Sequence, residues 1–205
     1  NHHGMLSIGG SPTWRTVVGG SRTYVDALVQ RLKDVRISAA VVSVRRTSAG
    51  VEVTTADGQT HRFDQAVLAT HANTALALLA DASDEERSAL AAIPYSRNHT
   101  WLHTDASLLP KARGARASWN YRLDSCEEQF LVTLNAPDQV AEASVLAKME
   151  YEHPVFTHAA LEGARFLRTA GGPNLAFAGA HLGWGFHEDG ARSGVAAAEK
   201  LGGGW

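Results

Sequence analysis

Apolar residues recur at helical spacing at Tyr24, Val25, Leu28, Val29 and Leu32, directly after Gly19 and Gly20. The spacing predicts a one-faced helix over 21–33 with Ser21 as its N-cap. From Val35 the period changes to two. β-Branched residues at Val41, Val42, Val44, Val51, Val53, Thr54 and Thr55, with turn residues at 48–50 and 57–58, predict a small antiparallel meander. Residues 63–70 read as a buried strand, 70–72 as a turn and 73–79 as a short helix. Ser83 with Glu86 three positions on is a capping box, opening a helix that stops near Pro94. Strand-like pieces follow at 99–103, 117–121 and 130–134, then a helical stretch at 144–150, an interruption at Pro154 and a helix over 157–166. At the end, 174–178 reads as a buried strand, 179–185 as a glycine-rich stretch, and the rest as a helix to Leu201. Gly194, Ala197 and Ala198 form its small face.

Composition narrows the classes. The 205 residues are 44% hydrophobic and 20% charged, a composition that packs a core and excludes disorder or collagen. Nineteen Lys and Arg against 21 Asp and Glu give a formal charge of −2, which argues against nucleic acid as the partner. No apolar run approaches the roughly 20 residues of a membrane span. Cys126 is the single cysteine, and the first residues lack the basic and apolar regions of a secretory signal, so a cytoplasmic protein is expected.

Strand, glycines, helix is an arrangement that cradles an anion or an electron-rich ring edge, because glycine lets backbone approach a ligand and a helix N-terminus carries unpaired N–H groups. On spacing alone a helix capped by Glu188 or Asp189, with no ligand, explains it as well. Trp184 and Phe186 could wall a flat ligand or fill core. His99 and His103 on a strand would sit roughly 13 Å apart, and no HExxH or Cys/His cluster exists, so no metal is expected. His153 and His158 read as structural. There is no GxSxG, and Glu127 and Glu128 discourage a thiolate at Cys126, which disfavours a hydrolase. Arg15, Arg22, Arg45 and Arg46 could meet phosphates, although basic residues at such positions are usually solvated.

Four segments together resemble the FAD-dependent oxidoreductases of the flavin-containing amine oxidase superfamily, in the bacterial branch similar to the flavoprotein part of plant cyclopropane fatty acid synthases. They are Trp14 to Val25, Ala39 to Arg46, Asp64 to His71 and Phe177 to Gly190. The resemblance implies an α/β fold with an α+β insertion: a partial FAD/NAD(P)-binding fold over 1–72 and 171–205, and a substrate lobe with an antiparallel sheet over 73–170. It implies FAD as cofactor and hydride transfer from an organic substrate, small or lipid-like. Val41 would meet the adenine end through its backbone, Gly179 and Ala180 the ribityl-phosphate portion, and the amides around Asp189 and Gly190 the pyrimidine edge. Phe186 and Glu188 belong to the same cofactor-binding run, and Trp184 and His187 are the catalytic candidates. Two departures stand out: Ala180 occupies a position that is often acidic, and the GxGxxG fingerprint is absent from these residues. The expectation is therefore the C-terminal portion of an enzyme, completed by a Rossmann-containing chain or by self-association. The alternative is a non-catalytic binding module that has lost the cofactor.

Overall fold

The computed structural model of the chain describes residues 17–109, 111, 130–135 and 137–204. The expectations at Trp14 to Thr16, at 117–121 and at Cys126 lie outside the described residues. Two compact units divide the chain, Asn1–Ala40 and Val41–Trp205.

In the first unit, Gly19 and Gly20 take positive φ of 82° and 84° and turn the chain into α1 (Arg22–Val29). The helix is shorter than its apolar periodicity suggests. Its last turn tightens, with Arg31 N bonding Leu28 O and Leu32 N bonding Val29 O. Ser21 is already helical and its hydroxyl makes no cap bond, correcting the expected N-cap. None of the α1 residues is buried.

The second unit opens with the predicted meander: β1 (Val41–Thr47), β2 (Gly50–Thr55) and β3 (Thr60–Phe63), antiparallel in that order. β4 (Ala66–Leu68) leads through 69–71 into α2 (Ala72–Leu78), and α3 (Asp84–Ala91) follows. The α3 capping box is complete, with Ser83 Oγ accepting from Glu86 N and Glu86 Oε2 accepting from Ser83 N. β5 (Tyr95–His103) lies between β6 (Leu131–Leu134) and β7 (Val145–Pro154), antiparallel to both. β7 corrects the helix expected at 144–150. Leu, Ala, Lys, Met and Glu favour helix, yet burial alternates along Val145–Glu150 and the strand is held by pairing with β5 from Tyr95 opposite Pro154 to His103 opposite Val145. α4 (His158–Leu167) is capped by the Thr157 hydroxyl, which accepts from Ala160 N. β8 (Leu175–Phe177) pairs in parallel with β4, Ala66 opposite Leu175 and Leu68 opposite Phe177. α5 (His187–Lys200) closes the chain.

The main core gathers Val44 and Val51 from the meander, Leu68 and Leu175 from the parallel pair, Leu79 and Leu90 from the α2–α3 region and Leu167 from α4. Ala197 of α5 packs on Ala176 and Ala178, so the small helix face does meet β8; a Cβ at Gly194 would meet open space. α3 and α4 approach closely at Gly163, where a Cβ would stand 2.5 Å from Ala89 O.

Arg46 is the third correction, since it is held rather than solvated. Its guanidinium donates Nη1 and Nη2 to the two Glu86 carboxylate oxygens, each at 2.7 Å, and Nε to Asp81 Oδ2 at 2.7 Å. Burial pushes the Glu86 carboxyl up, but the Arg46 and Ser83 hydrogen bonds and the Arg46 charge win and hold it below the usual range. One ion pair thus ties β1 to the start of α3. Glu86→Ala is expected to cost about 3 kcal/mol, because it leaves a partly buried guanidinium short of its partner. Gly163→Ala is expected to cost about 1–3 kcal/mol by forcing α3 from α4. Urea unfolding measures both, and losses within about 0.5 kcal/mol of zero, the range of an ordinary surface substitution, would contradict these roles.

Candidate functional site

β4 and β8 run parallel and end side by side, so the segments leaving them enter the same space. β4 continues into Ala69, Thr70 and His71, and β8 into Ala178, Gly179, Ala180 and His181. Crevices beyond the carboxyl ends of parallel strands are where open α/β sheets bind ligands. A cleft of about 320 Å³ opens there, lined by Ala69, Thr70, His71, Gly179, Ala180 and His181 together with Tyr95, Pro154 and Gly185. That volume lies at the lower end of the roughly 300–1,000 Å³ typical of small-molecule sites.

The glycine turn owes its shape to a set of close contacts. Gly179 has φ of +152°, and a Cβ there would meet the His181 ring at 2.5–2.6 Å, so the imidazole folds over bare backbone. Gly179 N donates to Ser193 Oγ at 2.9 Å, and Ser193 Oγ donates to Gly190 O at 2.7 Å, fastening the turn to the first turns of α5. Arg168, at the end of α4, donates Nε to Leu182 O at 3.0 Å. Asp189 reaches back to accept from Phe186 N at 3.1 Å and packs where a Cβ on Gly183 would stand. It therefore serves as a cap as well as complementing the helix dipole.

Two of the residues singled out in the sequence, Gly179 and Ala180, line the cleft. Asp189 and Gly190 hold the turn from the α5 side, and the Gly190 amide donates to Phe186 O at 3.1 Å. Phe186 precedes α5, while His187 and Glu188 begin it and are exposed. Trp184 is 44% exposed, its ring tilted against Phe156 at 6.2 Å. Val41 opens β1, half-buried against the main core and outside the cleft lining.

Sequence reasoning missed His71, Tyr95 and His181. A usable signal was present, because two short apolar strands each run into a histidine shortly beyond their carboxyl ends. Tyr95 stacks on His71, ring centroids 4.6 Å apart and planes 21° apart, and its hydroxyl accepts from Ala72 N at 2.9 Å. Burial raises the Tyr95 phenol above its ordinary value. His181 is 8% exposed, and burial, followed by the charge of His71, lowers its pKa to about 4. His99 is exposed on β5. His103 is fully buried, with Nε2 2.8 Å from Thr133 Oγ1 and Nδ1 accepting from Asp105 N. Among the described residues, no three His, Cys, Asp or Glu side chains converge as a metal site, and no helix is long and apolar enough to cross a membrane.

The depressed His181 value has a thermodynamic consequence. The unfolded chain takes up a proton near pH 6.5 and the folded chain only near pH 4. The neutral buried ring is fully compatible with folding above about pH 6.5, and stability is lost as pH falls from there toward 4. The shift corresponds to at most about 3 kcal/mol. His181→Phe is expected to flatten that acid limb in urea unfolding series at pH 7 and 4.5, whereas an unchanged slope would show that His181 titrates normally.

The family of flavin-containing amine oxidoreductases matches residues 1–103. No curated protein sequence matches the chain. Among solved structures, a CLA-producing fatty acid isomerase from P. acnes superposes with a TM-score of 0.59 at 15% identity, over 88% of this chain and 51% of that one. A redesigned double mutant of putrescine oxidase gives 0.65 at 14% identity, over 90% and 53%. The chain thus spans about half the length of these proteins, and the likeness is one of fold. With the family match covering half of the sequence, the chain belongs to the flavin-containing amine oxidoreductases, a family whose cofactor is FAD.

Proposed function

We propose that this chain is the C-terminal portion of an FAD-dependent oxidoreductase that removes a hydride from a carbon of an organic substrate. The observation that carries the reading is the cleft beyond β4 and β8, lined on one side by Gly179, Ala180 and the His181 ring that folds over Gly179. A side chain at Gly179 would collide with the His181 ring, so glycine at this position lets that ring lie against the backbone of the cleft wall. The small, mostly apolar lining fits one part of the cofactor, and the cleft of about 320 Å³ is too small for the whole dinucleotide. The grip on the pyrophosphate and adenine ribose would come from a GxGxxG segment supplied by residues outside this sequence or by another chain.

FAD supplies the two-electron redox step when bound, and the protein supplies orientation and electrostatics. In this division 1–72 and 171–205 belong to the cofactor portion, which the β4–β8 pairing supports, and 73–170 to the substrate portion. Gly179 and Ala180 approach the ribityl-phosphate portion. Val41 approaches the adenine end, and Phe186, Glu188, Asp189 and Gly190 place the start of α5 toward the pyrimidine edge, where a helix N-terminus favours negative charge. Trp184 and His187 remain the catalytic candidates of that motif, with His181 beside them because it lines the cleft. The substrate is a small or lipid-like organic molecule; the structural neighbours include a fatty acid isomerase and a putrescine oxidase.

Co-expression of the chain with a separately encoded Rossmann segment is expected to give a yellow complex with flavin absorption. Gly179→Val should weaken flavin binding about tenfold or more, close to 1.4 kcal/mol, while Gly194→Ala leaves it unchanged. Absence of a flavin spectrum with and without the Rossmann segment would favour the cofactor-free binding module instead.

A further inference from the structure

One wall of the cleft has no part in the glycine motif. His71, at the N-terminus of α2, turns Nδ1 toward Glu152 Oε2 of β7 at 3.6 Å, and Tyr95 covers its ring face. Glu152 is itself fixed. Its Oε2 accepts from Asn73 Nδ2 at 3.3 Å, and its Oε1 lies 3.6 Å from Arg97 Nε. His71 lines the cleft and Glu152 does not. Nδ1 faces the carboxylate, and Nε2 is the ring nitrogen turned away from Glu152. A carboxylate behind an imidazole fixes the tautomer that leaves the other nitrogen as proton acceptor. The 3.6 Å separation exceeds a hydrogen bond, as is common for catalytic pairs without ligand.

We propose that His71 is the proton acceptor of the cleft and Glu152 the positioning residue that sets its tautomer, a reading that rests on the flavin function proposed above. The substrate class is a molecule carrying an O–H or N–H beside the carbon that is oxidised. The carbon's hydrogen leaves with its electron pair to oxidised flavin. The heteroatom's proton passes to His71 Nε2, and the pair of the broken O–H or N–H bond closes a C=O or C=N bond. The substrate loses two electrons and the flavin gains two. The imidazolium so formed faces the Glu152 carboxylate. His181 is the poorer acceptor, since burial keeps it neutral until the solution is strongly acid.

The tautomer is read on the chain alone, without flavin, from long-range ¹H–¹⁵N spectra of its imidazoles. His103 is an internal standard: its Nδ1 accepts from Asp105 N at 3.1 Å, so its proton sits on Nε2. Neutral His71 is expected to carry its proton on Nδ1, and Glu152→Ala to move it mainly to Nε2 while His103 is unchanged. A wild-type His71 protonated on Nε2 overturns the proposal even if the variant does not fold, and so does a tautomer indifferent to Glu152→Ala. In the flavin-loaded complex, benzyl alcohol or benzylamine is expected to bleach the flavin, and His71→Asn to slow bleaching about 100-fold or more with flavin affinity unchanged. Bleaching by neither probe, or an equal rate in the variant, overturns the proton step. Failure to take up flavin at all overturns the flavin reading, and its separate absorption readout distinguishes that failure from a wrong tautomer.

Discussion

The parallel pairing of β4 with β8 is the constraint on which the site depends. Each strand is only three residues long, and neither could persist alone. Together they set Leu68 beside Phe177, so that the segments leaving their carboxyl ends bring His71 and His181 to one cleft. The pairing is held by what covers it. Ala197 packs on Ala176 and Ala178, and Lys200 Nζ donates to Leu175 O at 3.0 Å. A parallel pair needs cover on its faces, and α5 gives it from one side while the main core receives Leu68 and Leu175.

Charge is used in two different ways around this framework. Arg46 pairs with both Asp81 and Glu86, and its hydrogen bonds and charge, with the Ser83 amide, overcome the burial that would otherwise drive Glu86 neutral. His181 has no such compensation, and burial keeps its ring neutral. The first arrangement stiffens the junction between β1 and α3. The second leaves a neutral aromatic ring lying over the glycine backbone, an environment suited to a flat, electron-rich partner and unfavourable to a buried cation.

Family membership and fold likeness agree, and the fold likeness extends over more of the chain than the family match. The family match covers residues 1–103, whereas the cleft also requires Pro154 and residues 179–185. The solved neighbours superpose over about nine-tenths of this chain but about half of their own length.

Local chemistry made much of this protein legible. The meander, the Ser83 capping box, the Thr157-started helix and the run from strand through glycines to α5 depend on near neighbours in sequence, and periodicity and capping residues encode such elements directly. β7 was not legible, because its helix-favouring residues are overridden by a partner strand about fifty residues away along the chain. The fate of Arg46 was hidden for the same reason, since its carboxylates lie on a different element. Sequence alone determined the glycine turn and its place before a helix. Tertiary structure alone decided that His71, Tyr95, Glu152 and His181 share a neighbourhood, because strand pairing and desolvation arise only when distant segments exclude water from one another.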